Sequence, residues 1–238
     1  GVEDLSFLQI ACLLIFVALV CDMLDGRLAR MTRNTSDFGA QLDSLCDVIS
    51  FGVAPALLAL RCSVALVRST GWELPLDNII VERVLWCISG IYVSCAVLRL
   101  ARFNVECDEA EESHMSFKGL PAPGAAACIA MITLLYIHLA GETTIAGRLP
   151  RNIVNGASAV ILPSLLLTTA LLMVSRFEYL HLANHYIKGS KPVGNLVKFV
   201  FILVPVFLEP HITLSAISLV YIFSGPFRAL YRFVSGKE

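Results

Sequence analysis

Apolar residues run through this chain in long blocks separated by short polar stretches. The blocks lie near residues 5–25, 39–61, 80–100, 121–140, 153–175, 195–208 and 211–227. A hydrocarbon core about 30 Å thick takes roughly 20 helical residues to cross, and the blocks are read against that length. None alternates with the period of two that marks a barrel strand, so the backbone groups must be satisfied within helices. The pattern predicts an all-α, polytopic transmembrane helix bundle of seven spans. The last two, parted only by Glu209-Pro210, are expected to form a tight helical hairpin. No internal repeat, low-complexity tract or second domain is visible, so residues 1–238 read as one transmembrane domain.

Composition sharpens this picture. Of the 238 residues 57% are hydrophobic and only 16% charged, against about 25% charged in ordinary soluble domains, and the mean hydropathy is +0.75. Disorder and a secreted disulfide scaffold are excluded. The net charge of -1 offers none of the basic surface a nucleic-acid binder needs. Of the eight cysteines only Cys107 falls in a loop. With no C-x-x-C pair and no zinc-type spacing, they read as small packing residues.

Loop charge orients the bundle. With the segment between the first two spans in the cytoplasm, thirteen of the 18 Lys and Arg lie on the cytoplasmic side. Five lie opposite, namely Arg61, Arg68, Arg83, Arg148 and Arg151, as the positive-inside rule requires. Seven spans then place the first residue outside and the C-terminus inside. Because the sequence opens Gly1-Val2-Glu3-Asp4 with no recognisable cleavable signal peptide, an upstream piece is expected.

The aspartates at the first polar junction change the problem from fold to chemistry. Asp22 and Asp25 are three residues apart at the end of the first span, and Asp43 and Asp47 four apart at the start of the second. On helices each pair projects from one face. A short loop makes the two helices antiparallel neighbours, so all four carboxylates are expected to converge just inside the cytoplasmic edge. Like charges in so poorly solvated a place repel and are costly to desolvate, and a cation is the natural remedy. All-oxygen ligation selects hard ions such as Mg²⁺, Mn²⁺ or Ca²⁺. Two divalent ions about 3.5–4 Å apart, as used in phosphoryl displacement, would match four carboxylates. Gly26, Ala29 and Gly39 leave room for a ligand near the backbone, and Arg30 and Arg33 stand where guanidinium groups could take phosphate oxygens. A single aspartate at a wet helix end is often inert, but four in this frame are not so easily explained. A cation transporter or proton relay is the competing class. Against it, the acids sit at one edge, and the middles of the other spans carry few ionisable residues to step through.

The same residues resemble the signature of the CDP-alcohol phosphotransferase family, D-x2-D-G-x2-A-R-x8-G-x3-D-x3-D. It is matched here by Asp22, Asp25, Gly26, Ala29, Arg30, Gly39, Asp43 and Asp47. The resemblance implies an integral membrane enzyme that displaces CMP from a CDP-linked lipid or alcohol with an acceptor hydroxyl. It further implies that Asp22, Asp25 and Asp43 bind divalent metal, Mg²⁺ or Mn²⁺, while Asp47 contacts metal and acts as the base. Gly26, Ala29 and Gly39 would line the cytidine pocket beside Asp22, with Arg30 near the diphosphate. Ser50-Phe51-Gly52-Val53-Ala54-Pro55, Leu98 to Asn104 and Phe117 to Ala127 look like the integral-membrane phosphatidylserine synthase branch. That branch uses CDP-diacylglycerol and L-serine; relatives accepting glycerol phosphate, inositol phosphate or choline share the first motif.

In the family one more helix normally precedes the first span here, which would bring the total to eight, and a homodimer is implied. Arg99, Arg102, Asn104 and Lys118, at the cytoplasmic ends of the third and fourth spans, are candidates for the lipid phosphate or the serine carboxylate. Each also suits a plain anchor to anionic headgroups. Glu106 to Glu112 reads as a solvated loop. Pro121 and Pro123 are placed in the first turn of the fourth span, where proline is tolerated. Glu178, His181 and His185 have metal-like spacing but no further ligand, and read as interfacial residues.

Overall fold

The structure is a computed structural model that describes residues 2–32, 37–70, 78–109, 119–140, 150–177, 179 and 205–235. Among them there are no strands. The helices are α1 (Val2–Thr32), α2 (Asp37–Asp47), α3 (Ala54–Thr70), α4 (Asn78–Glu109), α5 (Ala122–Ala140), α6 (Arg151–Val174) and α7 (Pro210–Val234). A π-helical segment, Val48–Val53, joins α2 to α3 without a break. Six stretches are long and apolar enough to cross a membrane: Leu5–Asp25, Gln41–Ser69, Ile79–Asn104, Ala122–Ala140, Arg151–Val174 and Pro210–Arg232. The chain is an integral membrane protein. The expected span at 195–208 lies outside the described residues except for one helical turn at 205–208. That turn ends at Glu209, and α7 starts at once, with Pro210 in its first turn.

Two boundaries differ from the expectation. The second span runs to Ser69 rather than ending at 61; lipid offers no partner for a freed backbone group, so one arginine does not stop a helix. Beyond its apolar span, which ends at Asn104, α4 continues through Glu109, which makes residues 106–109 of the acidic stretch helix rather than loop.

The bundle is organised around α5, which packs against α1, α3, α6, α7 and the π segment. Its sequence allows this. Ala122, Ala125, Ala126, Cys128 and Ala130 are buried, and such short side chains let neighbouring backbones come close, the usual source of helix association in lipid. Pro123 sits in its first turn, as expected. α6 fills the space between α3, α4 and α5, whereas α1 and α7 expose broad apolar faces, including Leu14, Val17, Val220 and Phe227. Hydroxyls within the spans bond back to their own helices, for instance Thr133 to Ile129 at 2.8 Å and Ser164 to Val160 at 2.7 Å. At one end of the bundle Arg68 pairs with Glu82 at 3.2 Å, tying α3 to α4. There too His138 meets Glu209 at 3.3 Å, joining α5 to the start of α7.

The other end is closed by backbone. Gly119 N–H donates to the Phe177 carbonyl at 2.8 Å, and Leu120 N–H to that of Leu172 at 3.1 Å, so the strap into α5 is laid along the end of α6. Gly119 adopts φ 93°, a conformation that side chains resist. A Cβ there would stand 2.6 Å from the Met173 carbonyl oxygen.

Two tyrosines answer a problem set by proline. A proline in a helix has no N–H, so the carbonyl four residues earlier loses its donor. Pro55, where the π turn returns to α3, offers no N–H to either Ser50 or Phe51, and the Tyr92 hydroxyl donates to the Phe51 carbonyl at 3.1 Å. Pro226 does it to Ile222, and the Tyr179 hydroxyl donates there at 3.0 Å. Burial pushes the Tyr179 hydroxyl up to about 12, with Tyr221 adding to the shift, so it remains a donor at physiological pH.

Gly119→Ala is expected to lower stability in detergent by roughly 1–3 kcal/mol, the strain typical of a side chain held at positive φ. Gly90, inside α4, is the matched opposite, because a Cβ added there would meet nothing within 4 Å. Its change to Ala should be neutral or stabilising by up to about 1 kcal/mol, and thermal unfolding of the two variants checks the difference in sign.

Candidate active site

The end of the bundle that holds the Gly119 strap is also where α1 ends, α2 begins and α4 ends. Asp22 projects from α1, and Asp43 and Asp47 from successive turns of α2. One carboxylate oxygen of each lies within 4.8 Å of those of the other two. Asp22 and Asp47 are half-buried and Asp43 is exposed. Two helices thus contribute to one acidic cluster. Asp25, one turn beyond Asp22, is exposed and stands outside the group of three, so the expected convergence of four is seen here for three.

At separations of this order two unit charges repel by about 3–4 kcal/mol at an effective dielectric of about 20. A cation removes that penalty. Three carboxylates within reach of one point, with a fourth a turn away, are the all-oxygen donor set that hard divalent ions take, so the residues present fit such an ion.

The described surroundings restrain the acids. Asn104, near the end of α4, donates from Nδ2 to Ser44 Oγ at 3.0 Å, next in sequence to Asp43. The π segment follows Asp47 directly. Its geometry is marked by the Ala54 N–H, which bonds to the Ile49 carbonyl five residues back. Phe51 and Gly52 are buried within it, and a Cβ on Gly52 would lie 3.4 Å from that of Ala96 on α4. Sequence reasoning singled out neither Ser44 nor Tyr92. The one available signal was Pro55 inside an otherwise uninterrupted apolar run.

The remaining predicted residues are distributed as follows. Gly26, Ala29 and Arg30 belong to the last turns of α1, but their side chains, like all of Arg33 and Lys118, lie outside the described residues. Gly39 is exposed one turn before Asp43. Arg102 is half-buried. Arg99 is 7% exposed, with its guanidinium 5.7 Å from the Phe103 ring centroid. Its Nε is 3.6 Å from where a Cβ of Gly119 would be, which sets it against the strap at the end of α6. Glu178, His181 and His185 lie outside the described residues.

The family model for CDP-alcohol phosphatidyltransferase matches residues 5–171, a stretch that includes every aspartate of the cluster. A CDP-diacylglycerol–serine O-phosphatidyltransferase of Helicobacter pylori (strain ATCC 700392 / 26695) is 32% identical over 94% of this chain and 81% of its own length. One from Bacillus subtilis (strain 168) is 36% identical over 53% of this chain and 61% of its own. An archaetidylserine synthase of Methanothermobacter thermautotrophicus is 39% identical over 53% of this chain and 47% of its own.

Asp43→Asn and Asp47→Asn are expected to weaken Mn²⁺ binding by more than about 100-fold, beyond what loss of an outer partner costs. Each should also leave the melting temperature of metal-free protein unchanged or higher, because a mutual repulsion is removed. Mn²⁺ titration and thermal unfolding of the same preparations test both signs.

Proposed function

The chain belongs to the CDP-alcohol phosphatidyltransferase family, and from that premise we propose that it transfers the phosphatidyl group of CDP-diacylglycerol to the hydroxyl of L-serine, giving phosphatidylserine and CMP. The observation that carries the reading is the meeting of Asp22 with Asp43 and Asp47 from two helices within 4.8 Å. The acceptor comes from relatives whose names specify serine, one of them matching along almost the whole chain.

We assign Asp22, Asp25, Asp43 and Asp47 to a divalent metal site, with Mg²⁺ or Mn²⁺ as its ions. When bound, such ions neutralise a diphosphate and stabilise charge that develops on the phosphate under attack. The protein's own part is to position and to move a proton. A serine hydroxyl is a poor nucleophile at neutral pH, so a carboxylate must take its proton as the oxygen attacks the lipid-bearing phosphorus. Asp47, half-buried at the inner end of the cluster, is assigned that role. The new P–O bond forms as the bond to CMP breaks, and CMP departs as a phosphate monoester. Gly26, Ala29 and Gly39, small residues each four positions from an aspartate of the motif, are assigned to the cytidine, and Arg30 to the diphosphate.

Serine brings a carboxylate of its own. Arg102, half-buried near the end of α4, is our first assignment for that group or the lipid phosphate, with Lys118, which precedes α5 in the sequence, as the second. Asn104 is committed to Ser44, so its support for the acceptor is indirect. Arg99 is packed at the end of α6 and is better suited to holding that end than to meeting substrate. The charge asymmetry of the loops supports an active site that opens to the cytoplasm, where CDP-linked lipid headgroups and serine would meet it.

Purified protein given CDP-diacylglycerol, Mn²⁺ or Mg²⁺ and labelled serine is expected to form phosphatidylserine and release CMP in equal amounts. Asp47→Ala should lower the rate by about 100-fold or more, the usual worth of a general base. Consumption of glycerol phosphate or inositol phosphate in place of serine would overturn the acceptor assignment. Mn²⁺ flux into sealed vesicles without CMP release would overturn the enzyme.

A further inference from the structure

We propose that Tyr92 is a positioning residue for the acidic cluster, acting through the π turn that it holds in place. The inference rests on the function proposed above and extends it to a residue some way along α4 from the carboxylates.

A π turn carries one residue more than the α-helix it interrupts. If Val48–Val53 relaxed to regular α-helix, everything before it would rotate by about 100° relative to α3, one residue's share of a 3.6-residue turn. Asp43 and Asp47 would then leave the face that meets Asp22. The extra residue is therefore what aims α2 once α3 is fixed in the bundle, and α3 is fixed, since Ala56, Leu58, Ala59 and Cys62 are all buried.

Pro55, just after the irregular turn, offers no N–H to the carbonyls of Ser50 and Phe51 behind it. Without a substitute, a carbonyl would be left unpaired in an apolar interior, at a cost of about 1–3 kcal/mol. The Tyr92 hydroxyl is that substitute, at 3.1 Å, and the side chain is completely buried. Ala96, one turn further along α4, is also 0% exposed and faces Gly52. Asn104 then holds Ser44 on the far side of Asp47. The two hydrogen bonds from α4 bracket Asp47 along the chain, one on each side. Tyr92 governs the rotation of the helix, and Asn104 pins it beyond the turn.

The bond at Tyr179 provides a control within the same chain. It is the same chemistry, a tyrosine hydroxyl on a carbonyl orphaned by proline, but it joins the segment after α6 to α7. Loss of either hydroxyl removes one hydrogen bond to an orphaned carbonyl; only the loss at Tyr92 is expected to move the aspartates.

The experiment is Mn²⁺ binding followed by the EPR signal of free Mn²⁺, on the purified chain without substrate. Thermal unfolding is measured on the same samples. Tyr92→Phe is expected to weaken Mn²⁺ binding about 10-fold, within the range for outer-sphere partners of a metal site. Tyr179→Phe should lower the melting temperature comparably and leave Mn²⁺ affinity as in wild type. Pro55→Ala restores the missing N–H, competes with Tyr92 for Phe51 and is also expected to weaken Mn²⁺ binding. It carries the test alone if Tyr92→Phe fails to accumulate. Tyr92→Phe and Pro55→Ala proteins that bind Mn²⁺ as wild type does would overturn the inference while the proposed function stood. Wild-type protein that bound no Mn²⁺ would overturn both.

Discussion

Three carboxylates that repel one another are held together at the edge of an apolar bundle, and most of the architecture at that end can be understood as the means of holding them. Among the described residues no basic side chain is paired with them. The described helices supply geometry, and on the proposed function a cation supplies compensating charge. On the proposed function this arrangement is costly to the protein alone and useful in a catalyst, because the repulsion among the acids becomes affinity for a hard cation. A site whose charge was already paired by arginine would be more stable and would bind metal less well.

The frame that bears this cost is built from backbone proximity. α5 buries alanines where larger side chains would hold its neighbours away, and the Gly119 strap lies across the end of α6 in a conformation that suits glycine alone. Small residues give lipid-embedded helices little hydrophobic advantage, since the surrounding lipid is equally apolar. They give contact area and short distances. The helices interrupted by Pro55 and Pro226 then need their freed carbonyls satisfied in a place without water, and a tyrosine from another element does so at both. In lipid this requirement is strict, so each such bond both repairs a helix and ties it to a neighbour.

Much of this was legible from the order of residues alone. Block lengths in the chain predicted the spans that are described, and the spacing of Asp22, Asp43 and Asp47 on two antiparallel helices predicted that they meet. Helix periodicity carries that information directly. The extension of the second span past Arg61 was not legible, because hydropathy marks where charge begins, whereas a helix in lipid ends where its backbone can be satisfied. Nor was the exclusion of Asp25 from the tight group. Spacing of three places it on the same face as Asp22 but not at the same depth. The π turn was hidden for another reason. Its signal is one proline, and the partner that makes the turn tenable is Tyr92, 41 residues from Phe51 and on another helix.

The position of that turn also bears on how a rigid bundle serves a site that must admit two substrates. α3, α5 and α6 are buried against one another, while α2 is mostly exposed beyond the π segment, with Leu42, Leu45 and Phe38 uncovered. A helix so thinly packed cannot hold its own rotation by side-chain contact. It inherits its orientation from the π turn at one end and is checked by the Ser44–Asn104 bond near the middle. Precision at the carboxylates is thereby separated from bulk around them, which on the proposed function suits a site that must admit a nucleotide-bearing lipid. Tighter packing of α2 would fix the aspartates equally well, but on the proposed function it would crowd the carboxylates that have to meet substrate.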